Sequence, residues 1–489
     1  MRARLASGAI ALGVAVAGAV AVSGCGGGGS SSTSSSGSTT TVSAPTISVQ
    51  PVSQTVTAGT AVTFSVTATG DGTLSYQWYK DSSAISGATS SSHAISSAAT
   101  SDAGTYYVVV TNSGGSTTSS SATLTIGSTT TASCDTTYVD SVLSAVTTFE
   151  TAIGSTLTAS TLYDNSSYTT SQLDVYKTNW SNLPPGALAF SRPGITLSNL
   201  TTTAQITAFN ALAKAVLSTQ GYADFQGVLA ADDYLGYTKD ASGYGADLYH
   251  VAFVGTPSET GQWTLMLGGH HMAFNINFNG ACSYPTPHHI GVEPRTTFTA
   301  NSETSYNYYD AGSYTVLADK AAAMLAVFSG LDSTSLSSAF LTGQTFSDIL
   351  IGPVEANTGS YSAVTTKFNA IAASSNRGVL VSGLTTAQQA LVTAAITQYT
   401  GDYDATTAAR LLADYEAGYS STYVAWANAA GTYSSSGPDV TANATYMRID
   451  GPRVWIEIAV QNGIVIQSQT HYHMMFRDKS YDYYDQLSD

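Results

Sequence analysis

QWTLMLGGHHMAFNINFNG, residues 262–280, carries the fold in its spacing. On both sides of Gly268-Gly269 the apolar residues recur at every second position, the period of a strand with one face against a core. The same alternation runs through DLYHVAFVG (247–255), ATYMRID (444–450), RVWIEIAV (453–460) and IVIQSQTHYHMMFRD (464–478). Spacings of three and four instead mark YVDSVLSAVTTFETAIG (138–154), ITAFNALAKAVLSTQGY (206–222), LADKAAAMLAVFSGL (317–331), TAQQALVTAAITQY (386–399) and TAARLLADYEAGY (407–419) as helices. Helices and strands fall in separate blocks, without strict βαβ alternation. The reading is therefore a large α+β domain over 135–489, with a mostly antiparallel sheet and flanking helices.

The strands also hold the chemistry. Seven of the eight histidines lie in this region, and six form close pairs: His270-His271, His288-His289 and His471-Tyr472-His473. His471 and His473 project from one strand face, with Met475 and Arg477 behind them, a spacing that presents two imidazoles to one metal. His271 shares its parity with Ala273, Asn275 and Asn277, and His270 with Met272, Phe274 and Ile276. His271 is thus the better ligand and His270 reads as a core histidine. His288 and His289 read as loop residues before Glu293, a candidate ligand or the base that activates a metal-bound water. The expected ligand set is His271, His471, His473 and Glu293, with His270, His288 and His289 ranked behind. Zinc suits it best, with manganese, iron or copper as alternatives. Glu457 sits in an apolar strand and needs a partner, with Arg448, Arg453 or Arg477 as candidates. Asp232-Asp233 and Asp402-x-Asp404 lack the spacing of a calcium loop and read as solvated turns. No GxSxG, HExxH, phosphate-binding loop or dinucleotide fingerprint occurs in the region.

Upstream, short Thr/Val/Ser-rich runs between residues 45 and 126 alternate in polarity and are separated by Gly and Asn turns, an all-β sandwich pattern. The unit resembles an immunoglobulin-like domain: Val62, Phe64 and Val66 alternate, Trp78 follows, and Asp102-Ala103-Gly104-Thr105-Tyr106 matches the tyrosine corner. Val66 and Val108 stand where that pattern has its bridging cysteines. His93, in a Ser-rich stretch, reads as solvated. A spacer or adhesive role is expected for this unit.

The N-terminus pairs Arg2 and Arg4 with an apolar run from Ala9 to Val22, then Ser23-Gly24-Cys25. This reads as a signal peptide over 1–24, and its end resembles a bacterial lipobox, which implies lipidation of Cys25 and a membrane anchor without a spanning helix. The Gly/Ser/Thr run through residue 44 is a flexible tether, and 127–134 a second linker. The implied location is the bacterial cell envelope, at the outer membrane or cell surface. Outside the cytoplasm Cys134 and Cys282 either form a disulfide or remain two separate buried thiols.

Composition narrows the function. Of 489 residues, 16 are Lys or Arg and 32 Asp or Glu, a formal charge of −16, so no basic surplus exists for nucleic acid. The 30 Tyr, 14 Phe and 5 Trp supply ample surface for a core.

Several pieces in order, Trp180 with Arg192-Pro193-Gly194, LSTQGY (217–222), GGHHMAFNINF, TPHHIGVEP, SGLTTAQQALV, Trp426, YMRIDGPRVWIE and THYHMMFRD, are similar to the bacterial family known as domain of unknown function 3500. The resemblance covers nearly the whole large domain and implies no particular activity. The family pattern of Gly-His-His, a Glu-Pro loop and a terminal His-x-His agrees with the site above. This chain departs from it at Thr470, where Asn is usual, and at His288-His289, where an aromatic is more usual.

The expected function is a surface-tethered, metal-dependent hydrolase acting on a small molecule or polymer, with Glu293 as base and Arg477 holding an anionic group or transition-state charge. The alternatives are an adhesion or ligand-binding lipoprotein and a metal-dependent oxidoreductase.

Overall fold

A computed structural model of the chain describes residues 42–52, 54–57, 61–96, 98, 102–127, 134–163, 192–301, 308–351 and 362–482. The signal peptide, Cys25, nearly all of the tether, most of the second linker and Trp180 lie outside the described residues. No helix among the described residues is long and apolar enough to cross a membrane.

The chain divides into two compact units. In the small one, strand Ser75–Lys80 pairs antiparallel with Gly104–Asn112. Trp78, Phe64 and Tyr106 are buried there, with the Phe64 and Tyr106 rings 4.7 Å apart. Val66 and Val108 are buried in the cysteine positions, so apolar packing does the work of a bridge. His93 departs from expectation. It is half-buried on strand Ser92–Ile95, 6.0 Å from the Tyr106 ring and 6.3 Å from that of Trp78, because this strand turns it toward the aromatic core.

The large unit begins with α1 (Thr136–Thr161), which breaks at Gly154, φ 78°, where the sequence periodicity also stops. The single helical run read over 206–222 is two helices, α2 (Thr203–Val216) and α3 (Thr219–Asp233). Leu217 and Ser218 are extended between them, and the Ser218 hydroxyl caps α3 by accepting from Gly221 N–H. Strands β1 (His250–Val254), β2 (Gln262–Gly268), β3 (Met272–Asn279) and β4 (His288–Val292) follow. Next come α4 (Ala318–Ser329), α5 (Thr386–Thr400) and α6 (Ala405–Ala417). The last strands are β5 (Tyr423–Ala427), β6 (Tyr446–Asp450), β7 (Val454–Asn462) and β8 (Thr470–Asp478). These eight strands form the antiparallel body of a twelve-stranded sheet, in the order β1-β2-β3-β4-β8-β7-β6-β5, with four two- or three-residue strands added to it. It is two meanders whose final strands pair.

The halves repeat in detail. Thr202 with Gln205 and Thr385 with Gln388 form matching capping boxes at the starts of α2 and α5. Leu197 N–H donates to Tyr249 O at 2.8 Å, and Val381 N–H to Thr422 O at 2.8 Å. Gly194 (φ 86°) and Gly378 (φ 107°) press on the first strand of each meander, where an added Cβ would stand 2.0 Å from Val251 O and 2.2 Å from Val424 O. Only glycine fits either place. Each meander thus follows the same strand, turn and helix order, and the large unit is an internal duplication.

One sheet face packs on the helices: Phe149, Phe209, Phe225, Phe328, Ile396 and Tyr415 meet Phe274, Ile290, Ile456, Met474 and Phe476. Each such buried side chain contributes about 1.5–3 kcal/mol. The other face, with Ala273, Trp455 and Met475, is covered by Ile351, Val364 and Phe368. Cys134 and Cys282 form a disulfide, tying the start of the unit to the short strand Cys282–Tyr284, which pairs back on β3.

Candidate metal centre

The run read as one alternating stretch is a hairpin. Leu265 pairs with Ile276 and Leu267 with Phe274, and Gly269-His270-His271 make the reversal between β2 and β3. Gly269 N–H closes it on Met272 O at 2.8 Å, and an added Cβ at 269 would fall 2.5 Å from the Tyr249 ring. The turn swings His271 toward β8. There the two-residue spacing of His471 and His473 puts both on one face, and the ring centroids are 4.9 Å apart.

These three histidines converge. Their ligand atoms lie within 4.8 Å of one another, and all three residues are buried. Their floor is Gly291, paired across the strands with His473. An added Cβ there would stand 2.7 Å from Tyr472 O, 3.1 Å from His473 Cδ2 and 3.3 Å from His271 Cδ2. Two carboxylates orient the rings. Asp232, in the last turn of α3, takes a hydrogen bond from His271 Nδ1 at 2.9 Å, and Asp348 takes one from His473 Nδ1 at 2.8 Å. Each bond fixes the tautomer with its lone pair on Nε2, the arrangement that supports metal-bound histidines. His471 Nδ1 is buried without a hydrogen-bond partner. An orphaned nitrogen in so polar a cluster is costly unless a ligand satisfies it.

Electrostatics favour the neutral forms of His471 and His271. Burial, then repulsion from His473 and His271, pushes His471 down to about 2. Burial and His270 lower His271 to about 4, against the opposing pull of Asp232. Burial would raise Asp232, but His270 and His271 more than offset it and hold the carboxyl well below its ordinary value. The result at His271 and His471 is a pair of unprotonated imidazoles, the first backed by an ionised Asp232, the protonation state metal binding requires.

The other expected residues go elsewhere. His270 sits at Asp232 Oδ1, 3.4 Å away, with its ring edge-on to Tyr244, so it shares the carboxylate that orients its neighbour. His288 and His289 lie on strand β4 and not in a loop, so they point to opposite faces. His288 joins the helix side, bonded through Nδ1 to Tyr403 at 2.8 Å. His289 is on the cluster side, 5.5 Å from the His473 ring.

Glu293 is not gathered with the three histidines. Its carboxylate accepts from Ile464, Val465 and Ile466 N–H at 3.2, 2.9 and 2.6 Å, because the loop before β8 has no strand partner for those amides. Arg477 is four residues beyond His473, roughly 13 Å along the strand. It is fully buried, donating to Asp482 (2.9 Å) and Ile351 O. Glu457 finds no arginine; it accepts from Leu350 and Ile351 N–H and from Tyr446 OH.

Sequence reasoning missed Asp232, Asp348 and Gly291. Asp232, Asp233 and Asp402 are buried, not solvated turns. The available signal was position: Asp232 continues the apolar helix run FQGVLAADD, where a carboxylate must meet a partner.

Comparisons with known proteins agree with this division. The family described as a protein of unknown function (DUF3500) matches residues 139–485, and an immunoglobulin domain matches 44–112. No curated protein matches the chain. Among solved structures, a chimeric titin Z1Z2 tandem carrying a fibronectin GRGDS peptide is 25% identical over 18% of this chain and 52% of that one, TM-score 0.17. The chain thus spans about half of that structure. Titin M4 is 26% identical over 17% of this chain and 97% of that one, TM-score 0.17. Extracellular domains 3–5 of Drosophila OTK are 23% identical over 18% of this chain and 33% of that one, TM-score 0.17. With its large unit matched almost end to end, the chain belongs to the DUF3500 family of proteins of unknown function.

Proposed function

We propose that the large unit is a metal-dependent enzyme, most simply a hydrolase, carried on the bacterial cell envelope by a lipidated Cys25 with the immunoglobulin-like unit as spacer. The carrying observation is the buried His271, His471 and His473 trio with ligand atoms within 4.8 Å. Around a tetrahedral zinc the ligand nitrogens stand about 3.3 Å apart, so small side-chain rotations close the trio on one ion. With three protein ligands among the described residues, a fourth position is left for water or substrate. Bound zinc supplies Lewis acidity and brings the pKa of water toward ~7. Asp232 and Asp348 fix the ligand rings, Gly291 leaves them room, and the surrounding apolar strands limit water.

With Glu293 engaged by backbone amides, the ligand set is all nitrogen, which suits copper as well as zinc. That favours a metal-dependent oxidoreductase as the second reading. Metal analysis of the purified chain beside His271→Ala and His471→Ala tests both. About one zinc per chain, lost in each variant, supports the hydrolase; copper supports the oxidoreductase. No retained metal after supplying zinc, manganese, iron and copper removes both and leaves a surface-binding protein.

A further inference from the structure

The duplication gives the histidine site a twin. Gly451 N–H closes the β6–β7 turn on Val454 O at 2.8 Å, as Gly269 closes the β2–β3 turn on Met272 O. Lys479 N–H then donates to Arg453 O at 2.7 Å, as Gly291 N–H donates to His271 O at 2.6 Å. These matched bonds put Arg453 where the first half has His271, and Lys479 where it has Gly291. The carboxylates match as well: His271 meets Asp232 on α3, and Arg453 meets Asp414 on the equivalent helix α6, with Nη1 to Oδ2 at 2.5 Å.

We infer that Arg453 is a built-in cation at the twin of the histidine site, so that the large unit carries one transition-metal site and one site closed by a fixed guanidinium. Reading the first site as a metal centre rests on the proposal above; the role of Arg453 does not. Its second arm binds Asp478 Oδ2 at 2.5 Å, a carboxylate with a side chain 1% exposed. The guanidinium lies 4.7 Å from the centre of the Tyr481 ring, which stacks on Tyr284 at 4.4 Å. The Arg410 guanidinium lies 4.7 Å from the centre of the Tyr284 ring. The twin is therefore filled by aromatic rings and held by a charge that cannot be lost by deprotonation. The first half keeps three imidazoles, a glycine floor and the unpartnered His471 nitrogen. Removing the guanidinium would leave Asp414 and Asp478 facing the vacated space, a pair of hard oxygen ligands suited to calcium or manganese.

The test is thermal unfolding of the full chain and of Arg453→Ala, with and without millimolar Ca²⁺ or Mn²⁺, beside metal analysis. Arg453→Ala is expected to lower Tm by about 5 °C or more. Added cation should recover part of that loss in the variant while leaving the parent unmoved. A second change, Asp414→Asn, should abolish the recovery. Arg453→Lys, which keeps a cation and is the fallback should the alanine variant not fold, should melt higher than Arg453→Ala and ignore added cation. A variant whose melting does not respond to either ion, or a parent with a second bound metal lost in Arg453→Ala, would overturn the inference. Loss of the histidine-bound metal in His471→Ala reports on the first site alone, so failure of one reading leaves the other standing.

Discussion

Gly291 lies directly across the β4–β8 pair from His473, and its missing side chain is the space in which the His473 and His271 rings meet. Gly291→Ala would press a methyl group on both rings and on the Tyr472 carbonyl. The expected result is loss of most bound metal together with about 1–3 kcal/mol of stability, the usual cost of overpacking. Metal analysis and urea unfolding of the purified variant measure the two effects.

Asp232 and Asp348 are positioning residues in this scheme. Asp232→Asn and Asp348→Asn should each weaken metal affinity about 10–100-fold while the protein stays folded. The larger loss is expected for Asp232, which also binds His270 and the Tyr249 hydroxyl. Competition with a chelator of known affinity gives the ratio, and unchanged affinity in both variants would contradict the orienting role.

Glu293→Gln separates a loop anchor from a catalytic base. The amide retains one acceptor oxygen for three N–H groups, so the loop at 464–466 should loosen and the protein lose about 1–3 kcal/mol. Metal content should not change. Faster hydrogen exchange confined to that loop is the expected signature, and a variant that loses its metal would return Glu293 to the site.

Acid stability has a named source in Asp450. Burial raises this carboxyl, but Lys479 and Arg377 lower it further, leaving it below its ordinary value. Lys479 is itself lowered by burial in spite of Asp450, with Arg377 and Arg448 adding to the effect, so the cluster secures the carboxylate's charge more than the ammonium's. A carboxyl depressed in the folded state stabilises it above the unfolded pKa of about 4, and that contribution is lost as pH falls through the lower folded value. Asp450→Asn should therefore be less stable at pH 7, by about 3–5 kcal/mol. The gap to the parent should narrow below about pH 4. Denaturant unfolding across pH 3–7 tests the sign; a gap that widens in acid would contradict it.

Export and lipidation are tested by Cys25→Ala. The parent should partition with membranes and carry a lipid mass on its N-terminal fragment, whereas the variant should be released to the soluble fraction. Equal partitioning of the two would dismiss the anchor.

The sequence alone determined the two-unit layout, the antiparallel α+β class and the pairing of His471 with His473, because these follow from periods of two and 3.6 along a continuous chain. The same spacing misplaced what the turns decide. Gly269-His270-His271 reads as a strand in alternation, yet it reverses the chain, and that reversal carries His271 to β8. Glu293 and Arg477 have the right chemistry and the right neighbours in sequence. The fold gives one to three backbone amides and the other to Asp482, since buried charged groups bind the nearest unsatisfied partner. The duplication was partly legible: LTTTAQ at 200–205 and LTTAQ at 384–388 head equivalent helices. Only the matched hydrogen bonds equate GGHHM at 268–272 with DGPRV at 450–454, since the side chains at those turns share almost nothing. Which turn gathers imidazoles and which holds a guanidinium depends on residues far apart in the chain: Asp232, Asp348, Gly291 and His471 for one, Asp414 and Asp478 for the other. Convergence over such separations is fixed by strand register and helix packing, which no local pattern encodes.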